Sequence, residues 1–318
     1  MPRTAQLIVA ASVLPAAVCL LSPTAGWWFA GEIACHWGMH AAFALLPAVI
    51  LWRQRRALAA LVLCLMVIGC WPLLRAAWEP RAPLPAPDAQ LIRIATANLN
   101  VYNRKDLRTP AINAVLAEQP DIFVLAESIS SHDRALIPLD IYPHQIWQPQ
   151  LQRKWHDCVA LISKYPILRS AIHDLDSEPY IEATLDIDGR PLHVIAVHTQ
   201  SPWSPDNWQR RNVQLAGIAV LVKDLAQRDP NPILMLGDWN LSVASPAWVN
   251  LRRTTQIQRV AQPEPATWRA ELGPLGITID HLFGRGLALG RQQAFTIPGS
   301  DHRGLSGTLV MEARSSPK

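Results

Sequence analysis

The sequence predicts an α/β domain with mixed strand directions, carried behind three apolar helices. Three observations predict it. Half of the 318 residues are apolar and only 17% are charged, below the roughly 25% of a soluble globular chain. The shortfall is local. Residues 1–80 hold five basic side chains (Arg3, Arg53, Arg55, Arg56, Arg75) and two acidic ones (Glu32, Glu79), whereas residues 81–318 hold 24 and 23 of the chain's 29 basic and 25 acidic residues. Beyond residue 90, short β-rich apolar runs alternate with helical patterns. This division excludes a disordered chain and a single uniform domain. The near balance of charge downstream also argues against nucleic-acid binding by bulk charge.

The first 75 residues contain three charge-poor stretches, expected as transmembrane helices over about 5–22, 34–52 and 57–74. Their length reaches the roughly 17–25 residues a bilayer requires. They have no polar face to turn to water, and tryptophans such as Trp27, Trp28, Trp52 and Trp78 fall near their ends. Arg3, Arg53, Arg55 and Arg56 lie on one side, and residues 22–36 contain no Lys or Arg. The positive-inside rule therefore predicts a cytoplasmic N-terminus and an integral membrane protein whose C-terminal domain faces the periplasmic or extracellular side. A cleaved signal peptide over the first stretch would give the same outcome. Glu32, Cys35, His36 and His40 lie close together, but read as interfacial residues more readily than as a metal site.

Residues 76–90, with Pro80, Pro83, Pro85 and Pro87, form a semi-rigid spacer. The domain proper spans 91–311, followed by a tail, 312–318. Strands are expected at Leu91–Ala97, Ile122–Ala126, Val159–Ser163, Ile181–Ile187, Leu192–Val197, Ile233–Leu236 and Ile279–Phe283, with a further extended run at Ala294–Ile297. Helices are expected at Thr109–Glu118 and Ser204–Arg228, each opened by a capping residue and a proline.

The polar residues that matter lie at the ends of those strands. Asn98 and Asn100 follow the first, Glu127 the second, His198 the fifth, and Asp238 with Asn240 the sixth. Asp280 sits within the seventh, and Asp301-His302 follows the last extended run. Any one of these positions reads as a turn former. Together they are the residues that strand ends in an α/β sheet bring to one crevice. Asn, Asp and Glu are hard oxygen donors, and the absence of a CxxC or HExxH pattern argues against zinc.

The segments TANLN (96–100), PDIFVLAES (120–128), VALISKYPI (159–167), HTQSP (198–202), LGDWN (236–240), IDHLF (279–283) and SDHRG (300–304) resemble, in order, the motif set of the endonuclease/exonuclease/phosphatase superfamily. The resemblance implies a four-layer sandwich of two mixed β-sheets flanked by helices, and hydrolysis of phosphate esters with Mg²⁺ or Mn²⁺. It implies Glu127 as principal metal ligand, with Asn98 beside it and Asp301 as a further ligand. Asp238 would orient or deprotonate the attacking water, Asn240 would hold a phosphate oxygen, and His302, oriented by Asp280, would contact the phosphate or share the base role. His198 would contact phosphate or assist the leaving group.

The expected partners are the lipid bilayer, through residues 1–75, and a phosphate-ester substrate: a lipid headgroup, a small phosphodiester or nucleic acid. A membrane-bound nuclease and a non-catalytic binding module on the same fold are the competing readings. Position 100 is Asn where many nucleases of the superfamily are acidic, and residues 126–128 lack the basic residue that follows this motif in abasic-site endonucleases. The pairs Arg210-Arg211 and Arg252-Arg253 read as solvated faces. Trp203, Trp208 and Trp239 read as packed more readily than as pocket walls.

Overall fold

In the computed structural model, residues 3–52, 55–87, 89–148, 158–175 and 178–311 are described. Arg53 of the basic turn and the tail 312–318 lie outside them. Contacts divide the chain into two compact units.

One unit comprises residues 1–79 together with Trp203–Trp208 and Ser242–Asn250. Its helices are α1 (Arg3–Leu21), α2 (Phe29–Ala44), α3 (Leu46–Leu51) and α4 (Arg56–Ala77). The second apolar stretch begins earlier than expected and is divided at Leu45, because Pro47 opens a new helix instead of continuing the old one. Among the described residues, Thr4–Thr24, Phe29–Leu51 and Arg56–Ala77 are long and apolar enough to cross a membrane. The helices α2 and α4 approach closely at glycines. A Cβ on Gly38 would lie 2.3 Å from the Gly69 carbonyl oxygen, and one on Gly69 would lie 2.8 Å from that of Gly38.

Buried polar contacts tie the 242–250 segment into this unit. Ser245 Oγ donates to Glu32 Oε1 at 2.7 Å, His36 Nδ1 meets Ser242 Oγ at 2.6 Å, and the Trp248 indole donates to Glu79 Oε2 at 2.8 Å. Cys35 Sγ donates to the Glu32 carbonyl. Glu32, Cys35 and His36 bring ligand-type atoms within 4.8 Å of one another. The serine partners give Glu32 and His36 structural work there.

The other unit holds two mixed sheets flanked by helices. Its strands run β1 (Ile92–Asn98), β2 (Ile122–Ala126), β3 (His144–Trp147), β4 (Ala160–Ser163), β5 (Ile167–Leu175) and β6 (Glu178–Ile187). They continue as β7 (Arg190–His198), β8 (Ile233–Asp238), β9 (Asp280–Arg285), β10 (Leu287–Leu289), β11 (Gln293–Thr296) and β12 (Arg303–Met311). One sheet has the order β10-β12-β1-β2-β4-β3 with β11 on β12, and the other β5-β6-β7-β8-β9. Only β1–β2 and β7–β8 pair in parallel among the described strands. Each needs a helical crossover, supplied by α5 (Lys105–Ala117) and by α7 (Pro205–Arg228), which follows the short α6 (Ser130–Asp133). A last helix, α8 (Pro246–Thr255), follows β8.

Strand periodicity sorts the core. Ile92, Ile94, Ile122 and Val124 join Ile181, Leu185, Val194, Leu234 and Leu282 between the sheets. The alternate residues Ala95, Ala97, Phe123 and Leu125 pack instead against Ala111, Ile112 and Val115 of α5. Along α7 the buried positions include Trp208, Arg211, Leu215, Ile218, Val222 and Leu225, a stripe at helical spacing that holds an arginine among apolar residues. Ser204 Oγ accepts the Asn207 N–H, as its position before Pro205 predicts. By contrast, α5 starts at Lys105, so Thr109-Pro110 lies inside the helix and does not cap it.

Candidate active site

Topology brings the polar strand ends together. The C-terminal ends of the parallel pairs supply Asn98, Glu127, His198 and Asp238. The antiparallel strands β9 and β12 present their N-terminal ends at the same edges, so Asp280 stands opposite Asp238 and Asp301-His302 enters β12 beside the end of β1. Gly237 lets β7 and β8 approach closely there. Its φ is +141°, and a Cβ would lie 1.9 Å from the Val197 carbonyl oxygen.

Asn98 bridges the sheets. Its amide nitrogen donates to Glu127 Oε1 and to Asp238 Oδ2, both at 2.9 Å. Glu127 Oε2 accepts the Val101 N–H at 2.9 Å. His198 Nε2 lies 3.6 Å from Glu127 Oε1 and 3.7 Å from Asp238 Oδ2. On the other side of Asp238, His302 Nε2 lies 3.8 Å from Oδ2, and its Nδ1 donates to Asp280 Oδ2 at 2.9 Å. Asp238 Oδ1 accepts the Asn240 N–H at 2.8 Å. The Asn240 amide nitrogen donates to the Thr199 carbonyl, and its oxygen accepts from Ser201 Oγ.

Burial pushes the Asp238 carboxyl up, and the neighbouring Asp280 charge adds to this, to about 6 against the pull of His302 and His198. Burial alone would lower His302. The Asp280 and Asp238 carboxylates outweigh it and raise the imidazole to about 10, which favours its cationic form.

Two ligand-type clusters overlap at Asp238: Glu127 with His198 and Asp238, and Asp238 with Asp280 and His302. Asp301 lies outside both. Its carboxylate is exposed and accepts from Asn100 Nδ2 and from the Trp268 indole. The carboxylates of Glu127 and Asp238, with Asp238 destabilised as an anion by burial, offer the hard oxygens a dication takes, while Asn98 turns its amide nitrogen to both and its oxygen to the Asn100 N–H.

Several residues without strand-end signals also build the site. Thr267 Oγ1 accepts the N–H groups of Ile279 and Asp280, and Ser300 Oγ donates to the Asn98 carbonyl while accepting the His302 N–H. Arg211 is fully buried and donates to the Asn240 carbonyl, contrary to the solvated face expected of the Arg210-Arg211 pair, of which only Arg210 is exposed. Trp239 and Trp208 are buried, Trp239 beside Phe283, whereas Trp203 is 69% exposed.

Two mixed sheets with a carboxylate, histidine and asparagine cluster at their shared edge define a phosphoesterase-type sandwich. The endonuclease/exonuclease/phosphatase family model matches residues 95–302, and the chain belongs to that family. Its members are typically hydrolases of phosphate esters. The human nocturnin catalytic domain with bound sulfate is similar at a TM-score of 0.58 and 19% identity, over 70% of this chain and 95% of that one. Danio rerio TDP2 complexed with a single-strand DNA product gives 0.57 and 17% over 69% and 99%. Sphingomyelinase C from Streptomyces griseocarneus gives 0.51 and 16% over 69% and 99%. At these identities the likeness establishes the fold. A search of curated proteins gave no match.

Proposed function

We propose that this chain is a membrane-anchored phosphoesterase that hydrolyses a phosphodiester or phosphomonoester by in-line attack of water, with Mg²⁺ or Mn²⁺ as cofactor. The observation that carries the reading is the Asp238 carboxylate, within hydrogen-bond or ion-pair reach of Asn98, His198 and His302 at the joint edge of both sheets. Glu127 would be the principal holder of the ion, with Asn98 beside it orienting the Glu127 carboxylate and Asp301 nearby through Asn100. The ion would neutralise charge on the non-bridging phosphate oxygens.

The chain's own groups divide the remaining work. His302, whose cationic form Asp280 favours, would contact the phosphate and serve as a proton donor. The base role then falls to Asp238, whose raised carboxyl is better matched to taking a proton from water than an ordinary aspartate. Asn240, held by Thr199 and Ser201, would present its remaining amide hydrogen to phosphate. His198, between Glu127 and Asp238, would serve the leaving oxygen.

Residues 1–75 act as the membrane region and residues 91–311 as the catalytic part, on the periplasmic or extracellular side. The three long apolar helices and the basic Arg55-Arg56 turn support this. A lipid headgroup or small phosphodiester is favoured over nucleic acid because Arg211 is buried on Asn240 and unavailable to a phosphate backbone.

The test is the full chain in detergent with Mg²⁺ or Mn²⁺, assayed against sphingomyelin, phosphatidylinositol-type lipids, nucleotides and plasmid. Asp238→Asn and His302→Ala should each lower turnover by roughly 10²–10⁴-fold with the fold intact. Near-normal turnover in either variant would remove the assigned roles, and absence of hydrolysis by the wild type would leave the binding-module reading.

A further inference from the structure

Three site residues that are not glycine hold a left-handed backbone: Asn100 (φ 52°), Glu127 (φ 51°) and Asn240 (φ 44°). Such a residue is strained and persists only where its surroundings hold it. All three carbonyls here accept from a buried arginine. Arg108 Nη1 donates to Asn100 O at 3.0 Å and Nη2 to Glu127 O at 3.3 Å, and Arg211 Nη1 donates to Asn240 O at 2.9 Å. Arg108 is itself fixed. Its Nε and Nη2 form a fork on the fully buried Asp133, which also accepts the Ile129 N–H at 2.6 Å.

We propose that Arg108 and Arg211 are positioning residues for the reaction, each locking the peptide planes on which the site side chains stand. Arg108 joins the β1 and β2 loops through one rigid plane, which sets the Glu127 carboxylate against Asn98 and Val101. Arg211 does the same for the Asp238–Asn240 turn, from within the buried α7 stripe. A lysine in either place would keep the charge but lose the planar fork that reaches two carbonyls or a carbonyl and a neighbour.

The metal part of this inference rests on the reading that Glu127 holds a divalent cation, so the test separates the two. Full-length Arg108→Lys, Arg211→Lys and the charge-free double variant Arg108→Met/Asp133→Leu are compared with wild type in detergent. The first readout is amide hydrogen exchange in metal-free protein, over peptides spanning 99–103 and 238–242. Both Arg108 variants should exchange roughly tenfold faster in the first peptide only, and Arg211→Lys in the second only. The second is Mn²⁺ binding by calorimetry. It should weaken roughly 10–100-fold for both Arg108 variants and stay unchanged for Arg211→Lys.

Wild-type exchange in the folded variants would overturn the proposal. So would recovery of exchange and Mn²⁺ affinity in the double variant, since Arg108 would then serve only to neutralise Asp133. Failure of both Arg108 variants to fold would assign that residue to stability alone and overturn its part. If wild type binds no Mn²⁺ while exchange follows the expected pattern, the metal assignment falls and the positioning role stands.

Discussion

Replacing Glu264 with glutamine tests how much one buried charge cluster stabilises the two-sheet unit. Glu264 accepts from Arg259 Nη1 at 2.6 Å and from His281 Nδ1 at 3.3 Å, and His281 Nε2 donates onward to the Leu241 carbonyl at 2.8 Å. Burial would raise the Glu264 carboxyl. The His281 hydrogen bond and the Arg259 charge outweigh it and leave it below the ordinary glutamate value. Glutamine keeps the shape but removes the charge that compensates a buried guanidinium, a loss worth about 3–5 kcal/mol. At about 2–4 °C per kcal/mol for a domain of this size, the melting temperature should fall on the order of 10 °C.

The assay is tryptophan-fluorescence melting of the full chain in detergent, at neutral and acid pH. Because the folded-state value is depressed, the carboxylate's contribution is complete above the ordinary value of 4.5 and fades as pH falls through the lower folded value. The gap between wild type and variant should therefore be full at neutral pH and close only in acid. A difference under about 3 °C at neutral pH, or a gap that widens on acidification, would refute the reasoning.

Two further outcomes follow from the site. Gly237→Ala places a methyl group 1.9 Å from the Val197 carbonyl oxygen at a φ that alanine disfavours. It should push β7 from β8, lower turnover by roughly a hundredfold and lower the melting temperature; steady-state kinetics matching wild type would contradict this. Chelation with EDTA should abolish hydrolysis, with recovery on adding Mg²⁺ or Mn²⁺, because the donor set is rich in hard oxygen. Full activity in excess EDTA would rule out the cofactor assignment.

The strand ends were legible because a polar residue that closes an apolar run stands out. This exposed Asn98, Glu127, His198, Asp238, Asp280 and His302, and the structure brings all six together. Less regular strands were hidden. In β12, Gly304 and Gly307 dilute the β signal, yet Gly304 leaves room for the Phe295 ring, which a Cβ there would meet at 2.1 Å. The start of α5 was obscured by Thr109-Pro110, which has the form of a cap. The buried arginines were illegible for a different reason. Adjacent helix residues point about 100° apart, so Arg210-Arg211 reads as one charged patch although only Arg210 faces water. Asp301-His302 divides likewise but at a strand entrance, where successive side chains alternate: His302 turns inward while the Asp301 carboxylate stays at the surface.

The grouping of residues 242–250 with the N-terminal helices bears on any attempt to work with a soluble fragment. Expression from residue 91 onward would retain β8 and the Asp238–Asn240 turn but discard Glu32, His36 and Glu79, the partners of Ser245, Ser242 and Trp248. Trp248, now only 1% exposed, would lose the hydrogen-bond acceptor for its indole. That fragment would carry an adhesive patch two residues past Asn240, inviting aggregation and a misplaced turn. Residues 242–250 thus belong to the same compact unit as the N-terminal helices, and the intact chain keeps that unit whole through purification.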